Sequence, residues 1–314
     1  MAEVQKARDM ALTRSIGNTP MAELTNLWHT DLTGVRILCK LEGNNPGGSV
    51  KDRPALYMIE QAEASGELTH EKTILEPTSG NTGIGMAMVA RAKGYRIKLC
   101  MPGCVSEERR AILTAYGAEI DITPACNKTD GAIHRAQHIL ETEPDKYFMP
   151  NQFTNPANPL SHYETTAPEI LRDTDGDLTA FVAGMGTSGT LMGCSRRFRE
   201  TGNGIRVVAV EPTTGHTIQG LKSLKEAIVP PIFDRNALDE FLICEDEDAF
   251  ETMRDLMQLE GIFCGLSSGA AVWGAMKIAR DLPRGSTVVC ILPDRGDRYL
   301  STEAFRSFCA ECPP

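Results

Sequence analysis

A single lysine ends a glycine-rich polar turn in the first sixth of the chain. Residues 42–53 read Glu-Gly-Asn-Asn-Pro-Gly-Gly-Ser-Val-Lys-Asp-Arg, and Lys51 directly precedes a helix predicted over residues 52–64. The unpaired N–H groups of a helix start, together with the positive end of its dipole, disfavour an ammonium group. Lys51 is therefore a candidate for an amine that condenses with an aldehyde cofactor, and a solvated surface lysine is the alternative.

A second turn is rich in hydroxyl groups. Residues 76–83 read Glu-Pro-Thr-Ser-Gly-Asn-Thr-Gly and lead into a helix predicted over residues 81–93. Hydroxyl and backbone N–H groups at a helix N-terminus bind carboxylates and phosphates. A helix cap made by Ser79 or Asn81 is the alternative, but the turn carries more hydroxyl groups than a cap requires.

A third turn, residues 184–190, reads Gly-Met-Gly-Thr-Ser-Gly-Thr and follows a predicted strand. It lacks the lysine of the nucleotide P-loop, but it matches the G-x-G-x-x-G fingerprint of dinucleotide-binding proteins. Glu211, at the end of the next strand, could then bind a ribose, so a nicotinamide or flavin enzyme stays an alternative. The three hydroxyl groups of the turn favour a phosphate monoester instead, and a dinucleotide leaves Lys51 without a role.

A fourth turn, Gly-Leu-Ser-Ser-Gly at residues 265–269, by itself indicates only a helix cap. The four turns belong to an alternation of strands and helices that runs along most of the chain. The strands are predicted at 37–41, 73–75, 97–101, 119–122, 180–183, 206–211 and 287–292, and the helices at 52–64, 81–93, 106–116, 131–140, 190–200, 247–259 and 268–280. This order predicts an α/β fold with mainly parallel, twisted sheets flanked by helices.

The length of 314 residues favours two domains. The strand and helix pattern is weakest around residues 151–159, which are rich in Asn and Pro, so the main boundary is expected there. A second irregular stretch, residues 213–234, is expected to be a long surface loop.

The composition excludes several classes of function. A net charge of −10 disfavours nucleic acid and anionic membrane surfaces as partners. The chain has no apolar run of membrane-spanning length, and its first residues lack the apolar core of a secretory signal, so a cytoplasmic location is expected. The ten cysteines are scattered, and buried reduced thiols are the expected state.

Two further patterns are given no function. His134, His138 and Glu141 share one face of a predicted helix, but no ligand from a second element can be assigned, so a solvated face is preferred and no metal site is predicted. Cys309 and Cys312 form a lone C-x-x-C pair near the C-terminus, without the further ligands of a zinc site.

The four turns, in their order and spacing, resemble the cysteine synthase family of pyridoxal-phosphate enzymes, which have the tryptophan synthase β-like fold. The resemblance extends from Ile-Gly-Asn-Thr-Pro at residues 16–20 to Asp-Arg-Gly-Asp-Arg-Tyr-Leu-Ser at residues 294–301. The Glu-Gly-Asn-Asn-Pro run and the Asp-Arg-Gly-Asp-Arg-Tyr run are most similar to the cysteine synthase B branch. Pro293 stands where that branch often has cysteine, which disfavours thiosulfate-specific chemistry.

The resemblance implies a role for each site residue. Lys51 forms the Schiff base with pyridoxal 5′-phosphate, Asn81 binds the 3-oxygen of the cofactor, and Ser267 meets its pyridine nitrogen. The cofactor phosphate is held by Gly186, Thr187, Ser188, Gly189 and Thr190. The substrate carboxylate is bound by Thr78, Ser79, Thr82 and Gln152. Lys222 is a candidate for an anionic group of the substrate or donor, with a surface lysine as the alternative.

The implied domains follow the same pattern. Residues 46–155 are expected to form a smaller, mobile domain that clamps the substrate. Residues 13–45 and 156–305 are expected to form a larger domain that binds the cofactor phosphate, and residues 306–314 a C-terminal tail.

The implied activity is a transferase reaction that makes L-cysteine from O-acetyl-L-serine and sulfide through an aminoacrylate intermediate, with Lys51 as the base for the α-proton. A neutral hydroxyl at Ser267 does not hold the pyridine nitrogen protonated, which favours loss of a β-substituent. O-phosphoserine, another sulfur donor or cystathionine β-synthase-like chemistry stay open. A homodimer is implied, and a serine acetyltransferase is the protein partner to consider. A dinucleotide oxidoreductase and a non-catalytic binding protein are the alternatives from other classes.

Overall fold

The computed structural model describes residues 11–78, 80–103, 105, 107–302, 304 and 305. The described chain divides into two compact units. The first contains residues 11–16, 45–158 and 298–305 within those limits, and the second contains Gly17–Asn44 and Pro159–Asp297. Each unit has its own sheet with helices, so the predicted α/β class is confirmed.

The helices and strands follow one another in chain order. The strands are β1 (Met21–Glu23), β2 (Arg36–Leu41), β3 (Thr73–Pro77), β4 (Arg96–Pro102), β5 (Glu119–Thr123), β6 (Tyr147–Phe148), β7 (Ala180–Gly184), β8 (Arg206–Pro212), β9 (Glu240–Cys244) and β10 (Thr287–Leu292). The helices are α1 (Thr30–Thr33), α2 (Asp52–Ser65), α3 (Asn81–Lys93), α4 (Glu107–Ala115), α5 (Lys128–Thr142), α6 (Ala157–Ser161), α7 (Ala167–Asp173), α8 (Gly189–Glu200), α9 (Asp246–Leu259) and α10 (Leu266–Arg280). A π-helical turn, His162–Thr166, joins α6 to α7.

The first unit is built on a four-stranded parallel sheet in the order β5-β4-β3-β6. Every residue of β3 is buried, as expected for a central parallel strand that is covered on both faces. Ile74 and Leu99 of the sheet pack with Ile84 and Met88 of α3 in one apolar core. This core fixes the start of α3 at the carboxyl end of β3, where ligands bind in sheets of this kind.

The second unit is built on a six-stranded sheet in the order β1-β2-β10-β7-β8-β9. Only the short edge strand β1 runs antiparallel to its neighbour; the remaining pairs are parallel. Strand β10 is buried along its whole length. The turn that follows β7 leads directly into α8, so residues 184–190 lie at the carboxyl edge of this sheet.

A buried ion pair ties β2 to α7 in the second unit. The Nζ of Lys40, which is fully buried, lies 2.9 Å from a carboxylate oxygen of Glu169 and donates to the carbonyl oxygen of Thr19. Glu169 also accepts the N–H of Asn18 at 2.9 Å. Asn18 and Thr19 of the Ile-Gly-Asn-Thr-Pro motif are thus joined to β2 and α7 through polar groups that are paired inside the fold.

The structure differs from the sequence-based description in three places. Residues 13–16 and the described residues between 298 and 305 group with the first unit, whereas the sequence places them in the larger domain. Arg298 donates two hydrogen bonds within the first unit. The short strands β1, β6 and β9 and the helical segment 157–173 were not predicted. Residues 213–234 contain no helix or strand, yet Ile218 and Leu221 are buried, so this stretch is not a simple surface loop.

The described cysteines are free thiols, as expected for those inside the strands. Cys39 and Cys290 are buried register partners on β2 and β10, with their Sγ atoms 3.7 Å apart. Burial raises the pKa of the Cys100 thiol to about 11, so this group stays protonated at neutral pH. Cys309 and Cys312 lie outside the described residues.

The histidine face of α5 lies in solvent. His134, His138 and Glu141 are exposed, and no group of three or more acidic, histidine or cysteine side chains in the described part of the chain could hold a metal ion. Within that same part, the helices are too short or too polar to cross a membrane.

Candidate active-site residues

The turn that carries Lys51 is held by hydrogen bonds from its own sequence. Lys51 is the residue before α2, and its N–H donates to Ser49 Oγ at 3.2 Å. Gly47 N–H donates to Asp52 Oδ2 at 2.6 Å. Gly48 has a φ of +79°, which a side chain would oppose. These contacts fix the backbone that precedes Lys51.

Arg298 joins this turn to the start of α3. Its buried guanidinium donates from Nη2 to the carbonyl oxygen of Gly47 and from Nη1 to Oδ1 of Asn81. The Gly47 peptide is thus held on both sides, by Asp52 at its N–H and by Arg298 at its carbonyl. Because Oδ1 of Asn81 is an acceptor for Arg298, the amide Nδ2 is the group with which Asn81 can donate to a ligand.

The hydroxyl-rich turn brings Thr82 to Gln152, 70 residues further along the chain. The hydroxyl of Thr82 donates to Gln152 Oε1 at 2.6 Å, and both residues are buried. Thr78 is also buried, and its Oγ1 accepts the N–H of Gly80 at 3.3 Å. Ser79 lies outside the described residues. Three of the four residues predicted to bind the substrate carboxylate therefore belong to the described part of this unit.

A buried carboxyl group accepts hydrogen bonds from the backbone at Gln152. Glu76 lies near the end of β3, and its two oxygens accept the N–H groups of Asn151 at 2.9 Å and Gln152 at 3.2 Å. Burial raises the pKa of Glu76 from its usual 4.5 to about 7, and the two backbone hydrogen bonds oppose this rise.

The third turn has the features of a phosphate site. Ser188 precedes α8 with a φ of +68°, and its buried Oγ has no hydrogen-bond partner among the described residues. Thr190 Oγ1 lies 3.3 Å from Nε2 of the buried His162, which belongs to the π-helical turn. The first N–H groups of α8 and the Ser188 hydroxyl can together bind a phosphate monoester.

Gly220 lies close to both the third and the fourth turn. A Cβ at Gly186 would lie 2.9 Å from the carbonyl oxygen of Gly220, and a Cβ at Gly220 would lie 3.9 Å from Oγ of Ser267. Ser267 is buried in the first turn of α10. Within the second unit, the predicted phosphate turn and Ser267, the predicted partner of the pyridine nitrogen, therefore both lie next to Gly220.

The irregular stretch 213–234 packs against the third turn. The N–H of Lys222 donates to the carbonyl oxygen of Met185 at 2.7 Å, and Lys222 is half-buried. Glu211 accepts hydrogen bonds from Ser223 Oγ at 3.2 Å and from the N–H of Leu224 at 2.6 Å. Glu211, the ribose acid of the dinucleotide alternative, thus uses Oε1 to hold this stretch.

The predicted residues are shared between the two units. The first unit contains Lys51, Thr78, Asn81, Thr82 and Gln152, and the second contains Gly186, Thr187, Ser188, Gly189, Thr190, Lys222 and Ser267. Their chemistry fits pyridoxal phosphate: an amine, an amide donor, an unpartnered hydroxyl at a helix N-terminus and a neutral hydroxyl. Glu76, His162, Gly220 and Arg298 have contacts at the site that the sequence does not predict. Of these, only Glu76 and Arg298 carried a signal, since both lie in the quoted motifs.

Comparisons with known proteins agree with these features. The family model described as "Pyridoxal-phosphate dependent enzyme" matches residues 12–294. The chain is 48% identical over 294 residues to cysteine synthase B of Salmonella typhimurium, covering 94% of this chain and 95% of that protein. The solved structure of O-ureido-L-serine synthase has a TM-score of 0.88 and 41% identity, with 94% of both chains covered. The cysteine synthase of Entamoeba histolytica has a TM-score of 0.88 and 38% identity, with 94% and 90% covered.

Proposed function

This chain belongs to the family of pyridoxal-phosphate dependent enzymes, and from that premise we propose that it makes L-cysteine from O-acetyl-L-serine and sulfide. The observation that carries the proposal is the likeness to cysteine synthase B over nearly the full length of both proteins. The predicted cofactor, pyridoxal 5′-phosphate, is confirmed by the family. The residue roles below are our proposals.

When bound, pyridoxal phosphate supplies an electron sink for negative charge at the α-carbon of an amino acid. Lys51 would hold the cofactor at its aldehyde carbon through Nζ. The same amine, when free, would be the base that takes the α-proton of the substrate and returns it. Asn81 donates from Nδ2 to the 3-oxygen of the cofactor, because Arg298 occupies its amide oxygen.

The second unit binds the polar ends of the cofactor. Residues 186–190 hold the phosphate through the N–H groups at the start of α8 and through the Ser188 hydroxyl. Ser267 presents a neutral hydroxyl to the pyridine nitrogen and does not stabilise its protonated form as a carboxylate would. With a neutral residue at this position, the bound cofactor would be a weaker electron sink, which would favour loss of a β-substituent such as acetate.

The first unit binds the substrate. Thr78, Ser79, Thr82 and Gln152 bind the α-carboxylate, and Gln152 donates from Nε2 because its Oε1 already accepts the Thr82 hydroxyl. We propose that the smaller domain, predicted as residues 46–155, moves when the carboxylate binds and thereby excludes water from the reacting atoms.

The setting of the enzyme is also a proposal. Free buried thiols such as Cys39 and Cys290 fit a reducing compartment, which supports the cytoplasm. A homodimer and an association with a serine acetyltransferase follow from the resemblance to cysteine synthases. The mass of the protein in solution and co-elution with a serine acetyltransferase test these two points.

Product formation tests the proposed reaction. Purified protein loaded with pyridoxal phosphate should form L-cysteine from O-acetyl-L-serine and sulfide. Lys51→Ala should lower kcat by about 10³-fold, since a general base contributes roughly 10²- to 10⁴-fold. Lys225→Ala, an exposed lysine in the same protein, is the matched control and should keep the parent rate. Cysteine formation that is equal in the parent and in Lys51→Ala would contradict the proposal.

O-phosphoserine is the second candidate substrate because Lys222 is half-buried beside the predicted phosphate turn. If Lys222 binds an anionic leaving group, Lys222→Ala should lower kcat/KM for O-phosphoserine about tenfold, from the loss of a hydrogen bond between charged groups, and leave O-acetylserine unchanged. Lys225→Ala again serves as the control. Equal losses on the two esters would rule out this role for Lys222.

A further inference from the structure

Gln152 is fixed at three points within the first unit. Its N–H donates to Glu76 Oε1 at 3.2 Å, its carbonyl oxygen accepts Asn158 Nδ2 at 2.8 Å, and its Oε1 accepts the Thr82 hydroxyl at 2.6 Å. All four residues are buried. Because the amide group is planar, these contacts leave Nε2 directed away from Thr82 with its two donor hydrogens.

Glu76 also holds the residue before Gln152 in an unusual conformation. Asn151 has a φ of +53°, in the left-handed region, which Asn tolerates better than most residues. Its N–H donates to Glu76 Oε2 at 2.9 Å, and its carbonyl oxygen accepts the N–H groups of Thr154 at 3.1 Å and Asn155 at 3.0 Å. The turn that orients Gln152 is therefore hydrogen-bonded to β3 through the side chain of Glu76.

We propose that Glu76 is a positioning residue for the substrate: by holding the peptides of Asn151 and Gln152, it directs Gln152 Nε2 toward the α-carboxylate of the amino acid. This inference rests on the proposed function, in which Gln152 binds that carboxylate. Glu76 itself does not touch the substrate. Above about pH 7, where Glu76 is ionised, its carboxylate accepts two adjacent backbone N–H groups, whereas a neutral amide in its place would offer one oxygen acceptor and two unwanted donors.

Glu76→Gln tests the inference, with Glu260→Gln as the matched control. Glu260 Oε1 accepts the N–H groups of Thr25, Asn26 and Leu27 at 3.0, 2.8 and 2.7 Å, so the control makes the same substitution at another carboxylate that accepts backbone N–H groups, here through the one oxygen that glutamine retains. Glu260 is not bonded to a predicted site residue in the described contacts. Its replacement should leave both kinetic constants for O-acetylserine within about twofold of the parent.

In Glu76→Gln, the KM for O-acetylserine should rise about tenfold or more, since a hydrogen bond to a charged group is worth roughly 1.5–3 kcal/mol. The kcat should change much less, because the lost interaction is present in the bound substrate as well as in the transition state. A variant that merely unfolds in part would lower kcat per mole of protein without raising KM. An unchanged KM would overturn the inference.

A double-mutant cycle with Gln152→Ala separates positioning from a general effect on the fold. If Glu76 acts through Gln152, then Glu76→Gln should add less than about twofold to the KM of Gln152→Ala, far below the effect of the single substitution. Fully multiplicative effects would overturn the inference. If Glu76→Gln does not fold, Glu76→Asp, which keeps the charge but shortens the side chain, takes its place in the cycle.

The outcomes also separate this inference from the proposed function. Failure of the parent protein to form cysteine from O-acetylserine and sulfide would refute the function. An active parent with a Glu76→Gln variant that behaves like Glu260→Gln would refute only the role of Glu76.

Discussion

At the scale of single residues, Arg298 is a hydrogen-bond donor that orients other groups in the first unit. Arg298 holds the Gly47 carbonyl and the Asn81 amide oxygen with two nitrogens of one planar group. A guanidinium can do this because its N–H groups form a rigid fork, whereas an ammonium is a point charge on a flexible stem. The positions of the Lys51 turn and of Asn81 are thereby linked through one buried side chain.

Replacing this fork should weaken cofactor binding even when the charge is kept. We predict that Arg298→Lys raises the Kd of pyridoxal phosphate about tenfold, as one hydrogen bond among charged or polar groups is lost. The measurement is a titration of cofactor-free protein followed by visible absorbance. Arg295→Lys is the control, because Arg295 is exposed and pairs only with Asp297 in the described contacts. Equal Kd values for the two variants would contradict the role of Arg298.

At the scale of elements, the end of β3 is coupled to residues 151 and 152 through Glu76. This coupling has a pH dependence whose sign follows from the pKa. Burial raises the pKa of Glu76 to about 7, so between about pH 4.5 and pH 7 the folded chain keeps a proton that the unfolded chain has released. The free energy of unfolding that this carboxyl contributes is therefore fully present below about pH 4.5 and declines as the pH rises through 7.

The variant Glu76→Gln should remove this decline. The free energy of unfolding of Glu76→Gln minus that of the parent should rise by about 3 kcal/mol between pH 4.5 and 7.5, since one pKa unit corresponds to about 1.4 kcal/mol. Denaturant unfolding of both proteins at several pH values measures the difference. A difference that stays constant or falls with pH would contradict the raised pKa.

The sequence predicts the central elements well and the peripheral ones poorly. Strand β10 and helix α3 have the predicted bounds, because buried apolar runs and a polar turn before a helix are strong local signals. Strands β1 and β6 were missed because three or two residues give no measurable period, and they form only by pairing with a longer strand.

The same contrast holds for the site. The four turns could be recognised locally, from hydroxyl and glycine residues before helices. The roles of Arg298 and Glu76 could not be predicted because their partners are distant in the chain. The partners of Arg298 lie 217 and 251 residues away, and those of Glu76 lie 75 and 76 residues away. The reactive and ligand-binding groups can be recognised in the local sequence. The contacts that orient these groups join residues that are distant in the chain, so they form only when the chain folds.

At the scale of the whole molecule, each unit contains part of the set of predicted site residues. We propose that Lys51 and the carboxylate-binding residues of the first unit, and residues 186–190 and Ser267 of the second, serve pyridoxal phosphate, the cofactor of the family to which the chain belongs. A dinucleotide would use the third turn alone, and its ribose acid, Glu211, is already bonded to Ser223 and Leu224.

We propose that Lys51 carries the cofactor, and peptide mapping identifies the lysine that does so. Protein loaded with pyridoxal phosphate is reduced with borohydride, digested and analysed by mass spectrometry. We predict a pyridoxyl group on the peptide that contains Lys51, and its loss in Lys51→Ala while Lys225→Ala keeps it. A pyridoxyl group on a different lysine, with Lys51 unmodified, would contradict the account.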